Sequence, residues 1–214
     1  MDNLNNTNYY IEFEKQLESI KNHGSRPSLL LHACCAPCSS YCIELLAEIF
    51  DITIYFYNPN IDMEEEYRKR YGELCRLVKE APFAAGTKTV EGEYEPELFF
   101  EMAKGREKLP EKGERCYDCY KLRMEKSARY AAENGFDYFS TTLSISPYKI
   151  SRWINEIGVE LESLLKEEYP DRSPVFLYSD FKKKNGYKRS IELSEEYSLY
   201  RQNYCGCRFS KKEE

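Results

Sequence analysis

Nine cysteines stand in this chain, and eight of them fall into three groups. Cys34, Cys35, Cys38 and Cys42 form the first, Cys116-x-x-Cys119 the second, and Cys205-Gly206-Cys207 the third; Cys75 stands alone. Thiolates at such short spacings converge on a metal, an iron–sulfur cluster or a redox couple. Cys34, Cys35, Cys116 and Cys119 supply four thiolates, the number that holds a 4Fe–4S cluster. The same four could hold a structural zinc. Zinc sites usually pair two regular C-x-x-C knuckles, and the Cys34-Cys35 doublet is not one, which tilts the reading toward iron–sulfur. Cys205 and Cys207 are close enough to oxidise to one another, and the small ring they would close is strained and easily reduced, with Gly206 relaxing the backbone. A redox couple ranks first for this pair, a second metal next, and an idle exposed pair last. Cys42 reads as facing either the site or the core, with burial favoured, and Cys75 as an inert buried thiol.

Elements must place these sulfurs. Ser28 to Ala33 is a short apolar run that reads as a buried parallel strand entering the first cysteine group. A helix is predicted over Ser39 to Phe50, then a strand over Ile52 to Tyr57 closed by Asn58-Pro59-Asn60. A charged helix follows from Met63 to Lys79. Val90 to Arg106 holds an edge strand and a short helix, and Gly105 to Arg115 is a loop. Cys116 lies where that loop enters a helix running to Asn134 and stopped by Gly135. Tyr138 to Leu143 is a strand, Ile150 to Glu168 a helix, Val175 to Tyr178 a strand and Glu192 to Leu199 a helix leading into the C-x-C. Asn8 to Asn22 reads as a polar, peripheral amphipathic helix. Alternating strands and helices predict an α/β, Rossmann-like, mostly parallel sheet flanked by helices. Such sheets bind ligands beyond the carboxyl ends of their strands, where Cys34-Cys35, Asn58-Pro59-Asn60 and Ser140-Thr141-Thr142 would gather. The helix N-terminus beside Cys35 favours thiolates. The expected organisation is an N-terminal helical extension over 1–26, one α/β metalloenzyme domain over 27–209 and a tail over 210–214.

Composition narrows the class. Hydrophobic residues make up 42% of the chain, enough for a packed core. Met1 to Ser28 lacks the apolar stretch of a secretory signal, and no apolar run approaches the length of a membrane span. The expectation is a soluble, cytoplasmic protein with reduced thiols and no membrane partner. The net charge of −6 argues against a sequence-independent nucleic-acid coat. Local basic stretches, Arg68 to Arg70 and Lys182 to Lys184 with Lys188 and Arg189, leave room for a folded RNA docking on a basic rim. A solvated surface is the plainer reading of each stretch.

Five segments in order resemble the cobalamin-independent epoxyqueuosine reductases, the QueH family. They are His32-Ala33-Cys34-Cys35-Ala36-Pro37, Phe56-Tyr57-Asn58-Pro59-Asn60-Ile61, Arg115-Cys116-Tyr117-Asp118-Cys119, Phe139-Ser140-Thr141-Thr142-Leu143 with Ser146-Pro147, and Tyr200-Arg201-Gln202-Asn203-Tyr204-Cys205-Gly206-Cys207. The resemblance implies a HUP-type Rossmann-like fold and an oxidoreductase that converts epoxyqueuosine to queuosine at the wobble position of tRNA. It implies Cys34, Cys35, Cys116 and Cys119 as ligands of a 4Fe–4S cluster, and Cys205 with Cys207 as a redox-active disulfide. An unidentified electron donor is implied as a partner. Where some relatives carry an aspartate after Cys-Cys-Ala-Pro, this chain has Cys38. That residue is either a softer ligand to a second, mononuclear iron or zinc or the loss of that site.

Turning an epoxide into an alkene takes two electrons, two protons and the departure of water. No ordinary side chain supplies the electrons. Tyr57, Asp62, Asp118, Tyr200 and Tyr204 are chemically competent proton donors. Asn58, Asn60, Thr141, Thr142, Arg201 and Gln202 either contact the modified nucleoside or serve as turn and cap residues. Two other classes compete: an ATP-using tRNA thiolase or pyrophosphatase on a related fold, kept open by Ser39-Ser40, and a zinc-stabilised RNA-binding module. The first would be expected to carry glycines for phosphates after the first strand, and this chain has none there.

Overall fold

A computed structural model describes residues 7–211. The central strand dictates the layering. β1 (Ser28–His32) carries Leu29, Leu30 and Leu31, all fully buried. Successive side chains of a strand point to opposite faces, so three buried leucines in a row require cover on both sides. Leu29 and Leu31 pack with Phe13, Leu17 and Ile20 of α1 (Tyr9–His23), Ile43 and Leu46 of α2 (Ala36–Leu46), and Leu74 and Leu77 of α3 (Glu64–Glu80). Leu30 packs on the other face with Met124 and Ala128 of α5 (Glu114–Glu133) and Ile154, Ile157 and Leu161 of α6 (Ser151–Glu168).

β1 lies between β2 (Asp51–Phe56) and β4 (Tyr138–Thr141). β3 (Lys88–Glu91) and β5 (Val175–Phe176) close the edges in the order β3-β2-β1-β4-β5, and every pairing is parallel. The register sets His32 beside Tyr55 on one side and Thr141 on the other. The chain leaves β1 toward α2 on one face and leaves β4 toward α6 on the other. That divergence opens a crevice at the carboxyl ends of β1 and β4, the switch point of a doubly wound sheet. The expected Rossmann-like parallel sheet flanked by helices is the fold observed.

Several elements differ from their sequence-based expectation. α1 is capped by Asn8, whose side chain accepts from the Ile11 amide, and ends at Gly24 in the left-handed region, φ 66°. It is amphipathic as read, but it is not peripheral, because Phe13, Leu17 and Ile20 belong to the main core. α2 begins at Ala36 instead of Ser39, since Pro37 suits a first turn, and Cys38 therefore lies in that turn. α7 (Gly186–Glu196) begins six residues before the predicted Glu192. Lys184 and Asn185, both at positive φ, turn the chain into it and mask its start. Lys188 and Arg189 thus stand on a helix. The short helix expected before the loop is α4 (Pro96–Ala103).

Candidate metal centre

The first thiols are aimed by hydrogen bonds at the end of β1. The Ala33 amide still donates to the Tyr55 carbonyl at 3.0 Å, and Asn58 Nδ2 donates to the Ala33 carbonyl at 2.9 Å. The chain then leaves the sheet, and Cys35 caps α2 with an extended backbone. This places the sulfurs of Cys34, Cys35 and Cys38 all within 4.8 Å of one another at the head of α2. The Cys34 and Cys35 sulfurs are 3.8 Å apart. Hydrogen bonding with Cys35 and Cys38 holds the Cys34 thiol well below its ordinary value; burial opposes this, and Arg123 and His32 reinforce it. The hydrogen bond with Cys34 pushes Cys35 up to about 12, and the same contacts raise Cys38. Three thiols at one helix N-terminus form a soft donor set that could hold a metal.

Cys116 and Cys119 open α5 behind Gly113. Cys116 packs against the same apolar cluster as Cys34. Cys119 and Cys207 are buried together with Phe99 and Ala103 of α4, and Cys205 packs on this group. The Cys205 sulfur is 3.1 Å from Ser210 Oγ. Its thiol lies well below the ordinary value through contact with Cys207, against the cost of burial and with help from Lys149. Gly206 sits at φ 102°, and a Cβ there would stand 2.7 Å from Ile61 Cγ1, so the middle position of this C-x-C requires glycine. Cys42 faces the core, its thiol bonding the Cys38 carbonyl at 3.3 Å. Cys75 lies on α3 beside Thr89.

A cavity of about 250 Å³ occupies the crevice. Cys34, Cys35 and Cys38 line it, with Cys205, Gln202 and Tyr204 from the C-terminal segment and Leu143, Ile145 and Ser146 from beyond β4. A second, narrower cavity adjoins it and holds Cys116, Cys119, Cys205 and Cys207. Arg123, Lys149, Glu111, Cys205 and Ser210 line both. All three cysteine groups therefore line this pair of adjoining cavities.

The polar residues singled out from the sequence divide. Asn58 is fully buried and structural, accepting from Arg123 Nη2 at 2.6 Å while it holds Ala33. Thr141 accepts from the Leu143 amide and faces His32, and buried Thr142 lies beside it. Asn60 lines the narrow cavity and donates to the Cys205 carbonyl at 3.0 Å. Arg201 and Gln202 line the main cavity. Of the proton-donor candidates, Asp62 pairs with Arg208, Asp118 with Arg106, and the Tyr200 hydroxyl with Glu66. Tyr57 is buried against the sheet. Only Tyr204 of the five lines the main cavity. Ser39 and Ser40 are fully buried, with hydroxyls on the Cys35 and Pro37 carbonyls, so no phosphate loop forms there. Within the second basic stretch, Lys182 is tied to Asp180 and Ser151, and Arg189 to Glu44. Lys183 and Lys184 are exposed, and so is Lys188, weakly paired with Glu192 at 3.9 Å.

Residue-by-residue reading of the sequence missed the cations. Arg123, 1% exposed, lies one turn after Cys119 on the same face of α5, a spacing visible in the sequence. Arg115 is also buried and donates to the Arg106 and Glu107 carbonyls at 2.7 and 2.8 Å. Among the described residues no carboxylate forms an ion pair with Arg115, Arg123 or Lys149. Arg123 Nε and the Tyr120 hydroxyl, both buried at the narrow cavity, have no hydrogen-bond partner. Unpaired cations, orphaned donors and thiols at one place fit an anionic, sulfur-rich metal group.

The fold and site together define a Rossmann-like α/β protein with a thiol-lined pocket at its switch point. The family model described as epoxyqueuosine reductase QueH matches residues 29–213. A curated epoxyqueuosine reductase of Streptococcus pyogenes is 40% identical over 213 residues, 97% of this chain and 81% of that one. That of Staphylococcus epidermidis is 42% identical over 211 residues, covering 95% and 86%. That of Acinetobacter baylyi is 41% identical over 196 residues, covering 89% and 84%. The chain belongs to the QueH family of epoxyqueuosine reductases, which makes it an oxidoreductase.

Proposed function

We propose that this chain reduces epoxyqueuosine to queuosine in the wobble position of tRNA, in the cytoplasm, with an iron–sulfur cluster at the thiol-lined crevice. The observation that carries the reading is the set of three sulfurs, Cys34, Cys35 and Cys38, within 4.8 Å of one another in a cavity that Cys205 also lines. Cys34, Cys35, Cys116 and Cys119 would hold the 4Fe–4S cluster, and Cys38 would be the available ligand for a second, mononuclear iron or zinc. When bound, such a group supplies single electrons at a potential the protein tunes.

The chain's own residues do the rest. Oxidation of the Cys205 and Cys207 thiols to one disulfide releases two electrons and two protons, the number the epoxide consumes as its oxygen leaves as water. An external electron donor then restores the dithiol. Tyr204 donates a proton at the cavity. Burial and then Glu66 hold its phenol above the ordinary value, so it is protonated at neutral pH. Tyr204→Phe should lower kcat on the order of 100-fold with little change in KM; an unchanged kcat would remove it from this role. Gln202 and Arg201, which line the cavity, would contact the nucleoside.

An RNA loop presents its bases splayed, to be stacked and bonded. The main cavity suits that: Tyr148, 64% exposed, lines it, and so do Arg201, Asn203 and Tyr187. The test of the proposal is anaerobic incubation of the metal-loaded protein with epoxyqueuosine-bearing tRNA and dithionite. Queuosine should form; intact epoxyqueuosine after exhaustive incubation would refute the assignment.

A further inference from the structure

Two buried arginines in this protein are treated differently. Arg70, 1% exposed, has its carboxylate: Nε donates to Glu66 at 2.6 Å, which also accepts from the Tyr200 hydroxyl, although Arg70 Nη2 is unpartnered. Arg123, equally buried, has none. Its Nη2 donates to the neutral amide of Asn58, and its Nε is unpartnered. A cation so deprived is costly unless an anion of another kind stands near. Glu111 lines the same cavities without forming an ion pair with it, and the groups that favour its charge against burial are the sulfurs of Cys119, Cys34 and Cys205. Lys149, partly buried, likewise has no ion-paired carboxylate. It enters from the loop after β4, its Nζ 5.5 Å from the Tyr120 ring centre, and lines both cavities beside Glu111 but in no ion pair with it.

Arg123 also joins the two halves of the sulfur set. It stands on α5 one turn beyond Cys119, and through Asn58 it is bonded to the residue preceding Cys34. We infer that Arg123 and Lys149 are the fixed counter-charge of the thiolate-held metal group and raise its reduction potential. Both are positioning residues. This inference rests on the metal centre proposed above. The physics is electrostatic: adding one electron adds one negative charge, and a cation held in a dry site stabilises the reduced form more than the oxidised one.

The test is a potentiometric dithionite titration, followed by electron paramagnetic resonance, of anaerobically reconstituted wild type, Arg123→Gln, Arg123→Lys and Lys149→Gln, each with its iron and sulfide content. Arg123→Gln should be reduced at least tenfold less favourably, 59 mV more negative for a one-electron couple. Lys149→Gln should shift the same way, and Arg123→Lys should stay near wild type. Loaded Gln variants with unmoved potentials would overturn the inference. So would a shift in Arg123→Lys as large as in Arg123→Gln, because the charge would then not be the cause. If Arg123→Gln takes up no metal, Lys149→Gln decides: a negative shift upholds the inference and an unmoved potential overturns it. A wild type that binds neither iron nor sulfide would instead refute the proposed metal centre.

Discussion

Buried at the end of β1, His32 has both ring nitrogens engaged. Nδ1 is 2.8 Å from Thr141 Oγ1 and Nε2 is 3.0 Å from the Tyr57 carbonyl. A carbonyl only accepts, so Nε2 carries the proton and Nδ1 accepts from the Thr141 hydroxyl. Burial first, and Arg123 second, push the ring down to about 3, which keeps it neutral at physiological pH. The imidazole therefore works as a clamp across β1, β4 and the end of β2, two residues before the first thiol. His32→Leu would orphan the Thr141 hydroxyl and the Tyr57 carbonyl, at a cost of about 1–3 kcal/mol for each buried group. Urea unfolding should show a lowered midpoint, and an unchanged one would mean the clamp contributes nothing. The thiols of the site were legible one by one, because cysteine spacing is itself a chemical signal. Arg123 was not, because arginine is usually a surface residue. Its meaning depends on Asn58, 65 positions away, which only the fold brings near.

At the scale of elements, the segment that delivers Cys205 is tied to α3. Glu73 accepts from Arg76 Nη2 at 2.8 Å and from the Tyr200 amide at 2.7 Å, and Arg76 donates to the Tyr197 carbonyl at 2.9 Å. The bond to Arg76, and then that to Tyr200, hold the Glu73 carboxyl below its ordinary value of 4.5 despite partial burial. A carboxyl with a depressed folded pKa stabilises the fold above the unfolded value. That contribution fades as pH falls below 4.5 toward the folded value. Glu73→Gln should be less stable than wild type at pH 7, and the two urea midpoints should converge toward pH 3. Parallel curves over that range would show that Glu73 is not the group responsible. The strands were readable because β1 and β2 are short, apolar and bounded by turn residues. The start of α7 was not, since a lysine-rich turn at positive φ precedes it. α1 looked peripheral because its polar face dominates its composition, whereas its four buried side chains fix its place.

Over the whole molecule, the charge is −6, yet the mouth of the crevice gathers cations and rings. That arrangement suits the single splayed RNA loop of the proposed substrate better than a long backbone. Tyr148→Ala should raise KM for the proposed tRNA substrate about tenfold with kcat nearly unchanged, from loss of one stacking contact. Equal KM values would remove Tyr148 from the RNA contact. Among the described residues no helix is long and apolar enough to cross a membrane. The measurement that bears most directly on the central claim is anaerobic iron and acid-labile sulfide analysis of wild type beside Cys116→Ala. The account predicts about four sulfides and about four to five irons per chain in the wild type, and loss of the sulfide and its iron in the variant. Zinc without sulfide in the wild type, or full iron and sulfide in Cys116→Ala, would contradict it.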